Sequence, residues 1–233
     1  DAFGMHGYYQ DWEKEYAAKW NFKRPILMEG GWITAAHHRY WRDPSGKYRE
    51  GHSEDVRRGE YEASREARVN TMDFRINDET KSWFTKAFDL VKKFVAEGGY
   101  RLYPDKVMVP VKASSGDVVT VCHRWNNLGW GYCPNNIPQW NYRYKAAIAL
   151  LDKEGTPVKV FVEEKADPSL WYKDQPGTYM TEADLEGVRP GRYRWAVGIV
   201  DTSRDNRIGI DIAVSRELLT KEGWAVVSDI KIN

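Results

Sequence analysis

Apolar positions along this chain follow two regimes that meet near residue 105. In the first, short apolar runs alternate with longer stretches of helical period. Pro25 opens the run Ile26-Leu27-Met28, Glu29 follows at once, and Gly30-Gly31-Trp32 closes it. An apolar run of that length between turn signals reads as a strand buried on both faces, as in a parallel sheet covered by helices. Before it, Trp12, Tyr16 and Trp20 recur every fourth residue, a helical spacing that reads as core. After it, Asp43-Pro44-Ser45-Gly46 is a turn signal. Ser53 with Glu54 and Asp55 marks the start of a helix over 53–68. The dense charge of residues 55–68 reads as a mostly solvated face. Val69 to Ile76 forms a second strand, with Val69, Thr71, Phe74 and Ile76 as strand formers. Asn77 and Asp78 cap a helix from Glu79 to Glu97, whose Trp83, Phe84, Phe88, Val91, Phe94 and Val95 keep a helical period, and Gly98-Gly99 stops it.

The order is strand, helix, strand, helix: two consecutive β/α units. A closed (β/α)8 barrel takes about 250 residues, so residues 1–104 cannot hold eight units, and two exposed parallel strands cannot be stable alone. The remaining strands are therefore expected from outside this stretch. Asp1, just before Phe3 and Gly4, reads as the end of a truncated strand, and the start at Asp1 as a processed or truncated terminus.

In the second regime the strands are short and the turns frequent. Strands are expected near 106–112, 117–125, 143–152, 157–162, 191–201, 208–214 and 224–232. Turn residues between them include Ser114-Ser115-Gly116, Lys153-Glu154-Gly155, Arg189-Pro190-Gly191 and Asp205-Asn206. Seven or so strands at this spacing predict an antiparallel sandwich of immunoglobulin-like type. The fold class is thus α/β plus all-β: the C-terminal portion of a (β/α)8 barrel over residues 1–104, then an antiparallel β-sandwich over 105–233.

Charge narrows the partners. Lys and Arg number 35 against 34 for Asp and Glu, a balance that argues against nucleic acid or an anionic membrane as the main partner. No stretch approaches the roughly 20 apolar residues that span a bilayer. Aromatic content is 14%, with 11 Trp and 14 Tyr, residues that fill cores and also stack on sugar rings. Cys122 and Cys133 flank a turn-rich loop. They are either two buried thiols or a bridge worth about 3 kcal/mol in the chain-entropy model, which would imply an exported protein. A metal site is not expected, because His123 is the only extra ligand nearby and its spacing matches no zinc pattern. No cofactor is expected.

The candidate chemistry centres on Glu29. A carboxylate where a buried strand emerges is costly unless paired or used, and in a (β/α) barrel that rim carries the catalytic groups. Gly30 and Gly31 let the backbone turn sharply and approach a ligand, and Trp32 adds a flat apolar face. A glutamate beside a tryptophan at such a rim suits sugar chemistry. The plain alternative is a structural carboxylate bridging an Arg or Lys of a neighbouring strand. His6 reads equally as a loop residue or a ligand group. His37 and His38, beside Tyr40 and Trp41, line a cleft or begin an exposed helix, the second being the plainer reading. Trp130, Tyr132, Trp140 and Tyr142 form a sugar platform or pack the two domains together, and packing is the reading preferred.

These features together resemble an uncharacterised bacterial family that joins a glycoside-hydrolase-type barrel to a C-terminal sandwich. In that resemblance Asp1-Ala2-Phe3-Gly4 matches the exit of strand six, Pro25 to Glu29 strand seven and Val69 to Ile76 strand eight. Gly98-Gly99-Tyr100-Arg101-Leu102 matches the junction into the sandwich, and Trp125-Asn126-Asn127-Leu128-Gly129-Trp130-Gly131 its W-x-N-x-G signature, followed by Ala147, Leu150, Leu151 and Asp152. The resemblance implies a secreted enzyme, extracellular or periplasmic, acting on a polysaccharide or oligosaccharide by a retaining mechanism. Glu29 would be the nucleophile, with Trp32, Asp1, His6 and His37 as substrate contacts. The general acid of such enzymes sits on strand four, which this chain lacks, and Asp73 reads as a structural carboxylate in mid-strand. The implied partners are carbohydrate and the missing N-terminal barrel portion. The alternative is a non-catalytic carbohydrate-binding or structural accessory module.

Overall fold

A computed structural model describes residues 10–31, 48–49 and 51–233. It divides into two compact units: Asp1–Tyr100 with Gly129–Tyr132, and Arg101–Leu128 with Cys133–Asn233. At a coarse level these are a mixed α/β unit and a β-sandwich.

The first unit runs α1 (Asp11–Trp20), β1 (Leu27–Glu29), α2 (Ser53–Glu66), β2 (Thr71–Asp73), α3 (Asn77–Lys86) and α4 (Phe88–Glu97). Strands β1 and β2 pair in parallel, with Leu27 opposite Thr71, Met28 opposite Met72 and Glu29 opposite Asp73. Alternation along a strand sends Met28 and Met72 to one face, where they join Tyr61, Val69, Trp83, Leu90, Val91 and Trp130 in one core. Leu27, Thr71, Glu29 and Asp73 share the other face. The run Ile26-Leu27-Met28 is therefore buried on one face only: Met28 is fully buried and Leu27 is 59% exposed. Helices cover the methionine face, whereas on the opposite one Leu27 and Thr71 are exposed and Glu29 and Asp73 half-buried.

Two further expectations change. Trp12, Tyr16 and Trp20 do share a helix face, with Tyr16 and Trp20 edge to face at 6.3 Å. They are not core, however, for all three are exposed. The helix expected over 79–97 is two helices. Ala87, with φ −139° and ψ 31°, leaves the helical region between them, so that Trp83 from the first and Leu90 and Val91 from the second enter the same core.

Residues 129–132 belong to this unit for a backbone reason. Gly131 N–H donates to Gly99 O at 2.8 Å and Trp130 N–H to Glu97 O at 2.9 Å, while the Trp130 indole donates to Val69 O at 2.9 Å. A Cβ on Gly129 would lie 2.2 Å from Gly99 O, a distance no side chain tolerates. The glycines of the W-x-N-x-G signature thus allow two backbones to touch. Trp130 and Tyr132 are buried here, whereas Tyr142 is exposed, and Trp140 packs on Tyr144 within the sandwich at 4.9 Å.

The sandwich unit contains β3 (Leu102–Met108), β4 (Lys112–Ala113), β5 (Val118–Asn127), β6 (Tyr144–Leu151), β7 (Pro157–Val162), β8 (Gly177–Asp184), β9 (Gly191–Asp201), β10 (Arg207–Ile210) and β11 (Ala225–Ile232). One sheet has the order β3-β5-β8. The other has the order β4-β11-β9-β6-β7, with β10 also on β9. Strand β6 is buried nearly throughout, and β9 from Trp195 to Asp201. Ala147, Ala149, Ala196 and Val200 pack with Trp224 and Ile208 in one cluster. Strand β8 is absent from the sequence expectation because its inward positions, Tyr179, Thr181 and Ala183, include two polar residues. Cys122 and Cys133 are unbridged, and burial pushes the Cys133 thiol far above its ordinary value.

The sandwich core also holds a polar chain. The Trp125 indole donates to His123 Nδ1 at 2.7 Å, and His123 Nε2 lies 2.8 Å from Thr181 Oγ1. The Thr181 hydroxyl donates to Glu163 Oε2 at 2.9 Å. Because Trp125 can only donate, Nδ1 accepts and the ring is neutral with its hydrogen on Nε2. Burial depresses the His123 pKa to about 4, against a smaller opposing pull from Glu163.

A histidine held neutral in the fold but able to protonate in the unfolded chain makes stability fall as pH drops below about 6.5. The loss continues until the folded ring titrates near 4, amounting to on the order of 3 kcal/mol across that window. Urea unfolding of the sandwich at pH 7 and pH 4.5 should show this loss, and His123→Gln should shrink the difference between the two pH values. Equal pH dependence in both proteins would refute the assignment.

Candidate functional site

Glu29 and Asp73 stand opposite each other at the C-terminal ends of the two parallel strands. Asp73 therefore ends its strand rather than sitting in its middle, and its Oδ1 accepts from Arg75 N–H at 2.8 Å to form the turn that follows. That turn is tight: Arg75 and Asn77 both have positive φ, 61° and 52°, a conformation that side-chain-bearing residues adopt rarely. Thr80 Oγ1 donates to Arg75 O at 2.5 Å and steadies it.

The turn aims Arg75 back across the strand ends. Its Nη1 lies 2.7 Å from Glu29 Oε1, and its Nε donates to Gly30 O at 2.6 Å. Arg75 is thereby tied to the backbone immediately after the acid it pairs with, and an adjacent guanidinium favours the ionised carboxylate. The Glu29 side chain is 39% exposed, so it is neither sequestered nor loose. Gly30 N–H continues the ladder to Asp73 O at 3.1 Å. A Cβ there would lie 2.8 Å from that oxygen, which is why the position requires glycine.

Behind the Gly30-Gly31 turn lies a fully buried ion cluster. Arg57 of α2 donates through Nη1 to Glu60 Oε2 at 2.7 Å, through Nη2 to Glu79 Oε2 at 2.5 Å and through Nε to Ser82 Oγ at 2.9 Å. Its guanidinium also covers the Trp83 ring, 5.3 Å from the centroid. Glu60 Oε1 accepts from Gly31 N–H at 2.5 Å, and Arg57 Nη1 reaches Gly31 O at 3.4 Å. Burial raises the Glu60 pKa against the pull of Arg57 and of the Gly31 N–H. Helix α2 thus presents buried charge to the strand end at Arg57 and Glu60, contrary to the expectation of a mostly solvated charged face over 55–68.

The structure therefore joins one expected residue, Glu29, to five that the sequence reading left out of the site: Arg75, Arg57, Glu60, Glu79 and Ser82. Spacing on a helix places Arg57 and Glu60 on one face, but only the fold shows that this face is inward. Trp32, Asp1, His6 and His37 lie outside the described residues. Among the described residues no group of three or more His, Cys, Asp and Glu could hold a metal ion. Chemically, the arrangement offers an anionic carboxylate of fixed orientation at the mouth of a parallel strand pair.

No family model matches the chain, and no curated protein matches it in sequence. Among solved structures, the chain is similar to the CARDB domain of the PF1109 protein from Pyrococcus furiosus, crystallised in complex with di-metal ions. That match has 13% identity and a TM-score of 0.33, over 57% of this chain and 93% of that one. It is also similar to a β-glucosidase from Listeria innocua in complex with glucose, with 14% identity and a TM-score of 0.30, over 57% of this chain. The same enzyme in complex with isofagomine gives 12% identity and a TM-score of 0.29. The match spans only 16% of the glucosidase chain. At these scores neither likeness bears on the site.

Replacing Arg57 by Ala would leave two carboxylates buried without their cation, which costs about 3–5 kcal/mol. Urea denaturation should show that loss in the first unit. Gly30→Ala should cost about 1–3 kcal/mol, as overpacking does elsewhere. A loss below about 0.5 kcal/mol in either variant would show that the turn is not clamped in this way.

Proposed function

We propose that this chain is the C-terminal part of a retaining glycoside hydrolase with Glu29 as nucleophile. The observation that carries the reading is the position of Glu29: a half-exposed carboxylate at the C-terminal end of a parallel β-strand, oriented by Arg75 and by a clamped Gly-Gly turn. Attack on an anomeric carbon requires an ionised, oriented carboxylate, and a second carboxylic acid about 5–5.5 Å away to protonate the leaving oxygen. The face bearing Leu27, Thr71, Glu29 and Asp73, on which Leu27 and Thr71 are exposed, is where further barrel strands would enclose the substrate, and the acid would come with them. The substrate is a polysaccharide or oligosaccharide, met outside the cytoplasm.

One observation favours a second reading. The ion pair with Arg75 gives Glu29 a structural partner, as in an accessory module that binds sugar without cleaving it. The two readings part on chemistry. In the intact protein Glu29→Gln should lower hydrolysis of an activated aryl glycoside by on the order of 10⁴-fold or more, as loss of a covalent nucleophile does. The melting temperature should change little, since a pair this exposed is worth about 0–1 kcal/mol. Azide should rescue Glu29→Ala and yield a glycosyl azide of inverted configuration. Unaltered hydrolysis by Glu29→Gln on a confirmed substrate would reject the nucleophile.

A further inference from the structure

On the sandwich, three cations stand in one row across three neighbouring strands. Lys231 of β11 is opposite Lys112 of β4 on one side and Arg192 of β9 on the other. Residues directly opposite one another point to the same face, and like charges so placed are destabilising. In the next row, two residues along, Asp229 of β11 is opposite Arg194 of β9. Among the described residues, no carboxylate lies within ion-pair distance of Lys112, Arg192, Arg194 or Lys231. A cleft of about 750 Å³ opens over these rows, lined also by Asp152, Lys153 and Tyr193. Its charged lining is five cations, Lys112, Lys153, Arg192, Arg194 and Lys231, against two carboxylates, Asp152 and Asp229. Asp152 is engaged in its own turn, accepting from Thr156 N–H at 2.8 Å.

We propose that this cleft binds an acidic oligosaccharide, one whose sugars carry carboxylate or sulfate groups. The row sets adjacent cations one strand spacing apart, about 4.8 Å, suited to anionic groups recurring along an extended chain. Arg192 and Arg194 offer planar forks for two-point contact with carboxylate or sulfate. Asp229, in the row beside them, accepts from sugar hydroxyls. Nucleic acid fits less well. The whole chain is balanced in charge, two carboxylates face the ligand, and the cleft has one aromatic ring where single strands use several as stacking platforms. The cation row stands independently of the glycosidase reading, and only the choice of sugar among polyanions rests on it.

The test is calorimetric titration of the full chain with four probes: a polygalacturonate-derived hexasaccharide, a heparin-derived hexasaccharide, neutral laminarihexaose and a 12-nucleotide single-stranded DNA. One or both acidic saccharides should bind, more weakly as salt rises, and the two arms separate carboxylate from sulfate. Laminarihexaose and DNA should bind at least tenfold more weakly. Lys112→Gln, Arg192→Gln and Lys231→Gln should each weaken binding about tenfold, the loss of one charge-assisted contact, and the triple variant should abolish it. Its melting temperature should hold or rise, since like charges are removed. No binding of either acidic saccharide, binding unchanged in the folded triple or in Lys112→Gln alone, or DNA binding as tight as saccharide would overturn the proposal. The Glu29 experiment reads hydrolysis and this one reads binding, so either idea can fail without the other.

Discussion

Arg57 is fully buried, yet it carries a full charge, and the geometry of the first unit follows from how that charge is satisfied. A lone guanidinium in such a place would be prohibitive, and even a paired one seldom adds net stability against an apolar replacement. What the pairing supplies is position. Glu60 and Glu79, from two different helices, converge on one guanidinium, while Gly31 offers both its N–H and its carbonyl to the same cluster. The backbone leaving β1 is thereby fixed relative to α2 and α3. Glu29 stands two residues before Gly31, so its strand end inherits that constraint.

The sandwich uses a different device, cross-strand register. Positions 192, 194, 196, 198 and 200 of β9 share one face of the sheet. At 196 and 200 that face is apolar and lies under Trp224 and Ile208. A Cβ on Gly198 would meet Ile208 at 2.4 Å, so the cover sits directly on the backbone. Two residues earlier the face becomes Arg194, half-buried opposite Leu151 of β6, and then the exposed Arg192. The cationic rows are thus the open continuation of a packed surface, which explains why they line a cleft.

The sequence discloses this architecture unevenly, and the reasons are physical. The strand at Leu27–Glu29 and the helix at Ser53–Glu66 were legible because turn residues and first-turn acids mark their ends. Strand β8 was not, since a strand whose inward positions are Tyr179, Thr181 and Ala183 shows no apolar alternation. Period reveals that Trp12, Tyr16 and Trp20 share a face but cannot reveal what covers it, and here they are exposed. Charge density misleads in the opposite direction at Arg57 and Glu60. Their burial depends on Glu79, 22 and 19 residues away in sequence respectively, and local composition carries no trace of that meeting. Glu29 stood out because an acid directly after an apolar run is locally anomalous, whereas Arg75 fell inside the expected strand 69–76, which in the structure ends at Asp73.

Arg75 decides how the Glu29 carboxylate should be understood. A nucleophilic carboxylate must be ionised while its partner acid stays protonated, and their environments must push the two apart. A guanidinium at 2.7 Å from Oε1 does the first of these. It serves a purely structural acid equally well, and either role gains from a second anchor. Arg75 has one, because Nε holds Gly30 O, so the cation cannot follow Glu29 if the carboxylate moves. Its own backbone is held at positive φ to reach that position, a conformational cost of about 1–3 kcal/mol that surrounding contacts must offset. A cation fixed this firmly orients one carboxylate oxygen and leaves the orientation of the acid defined, as the nucleophile proposed above would need.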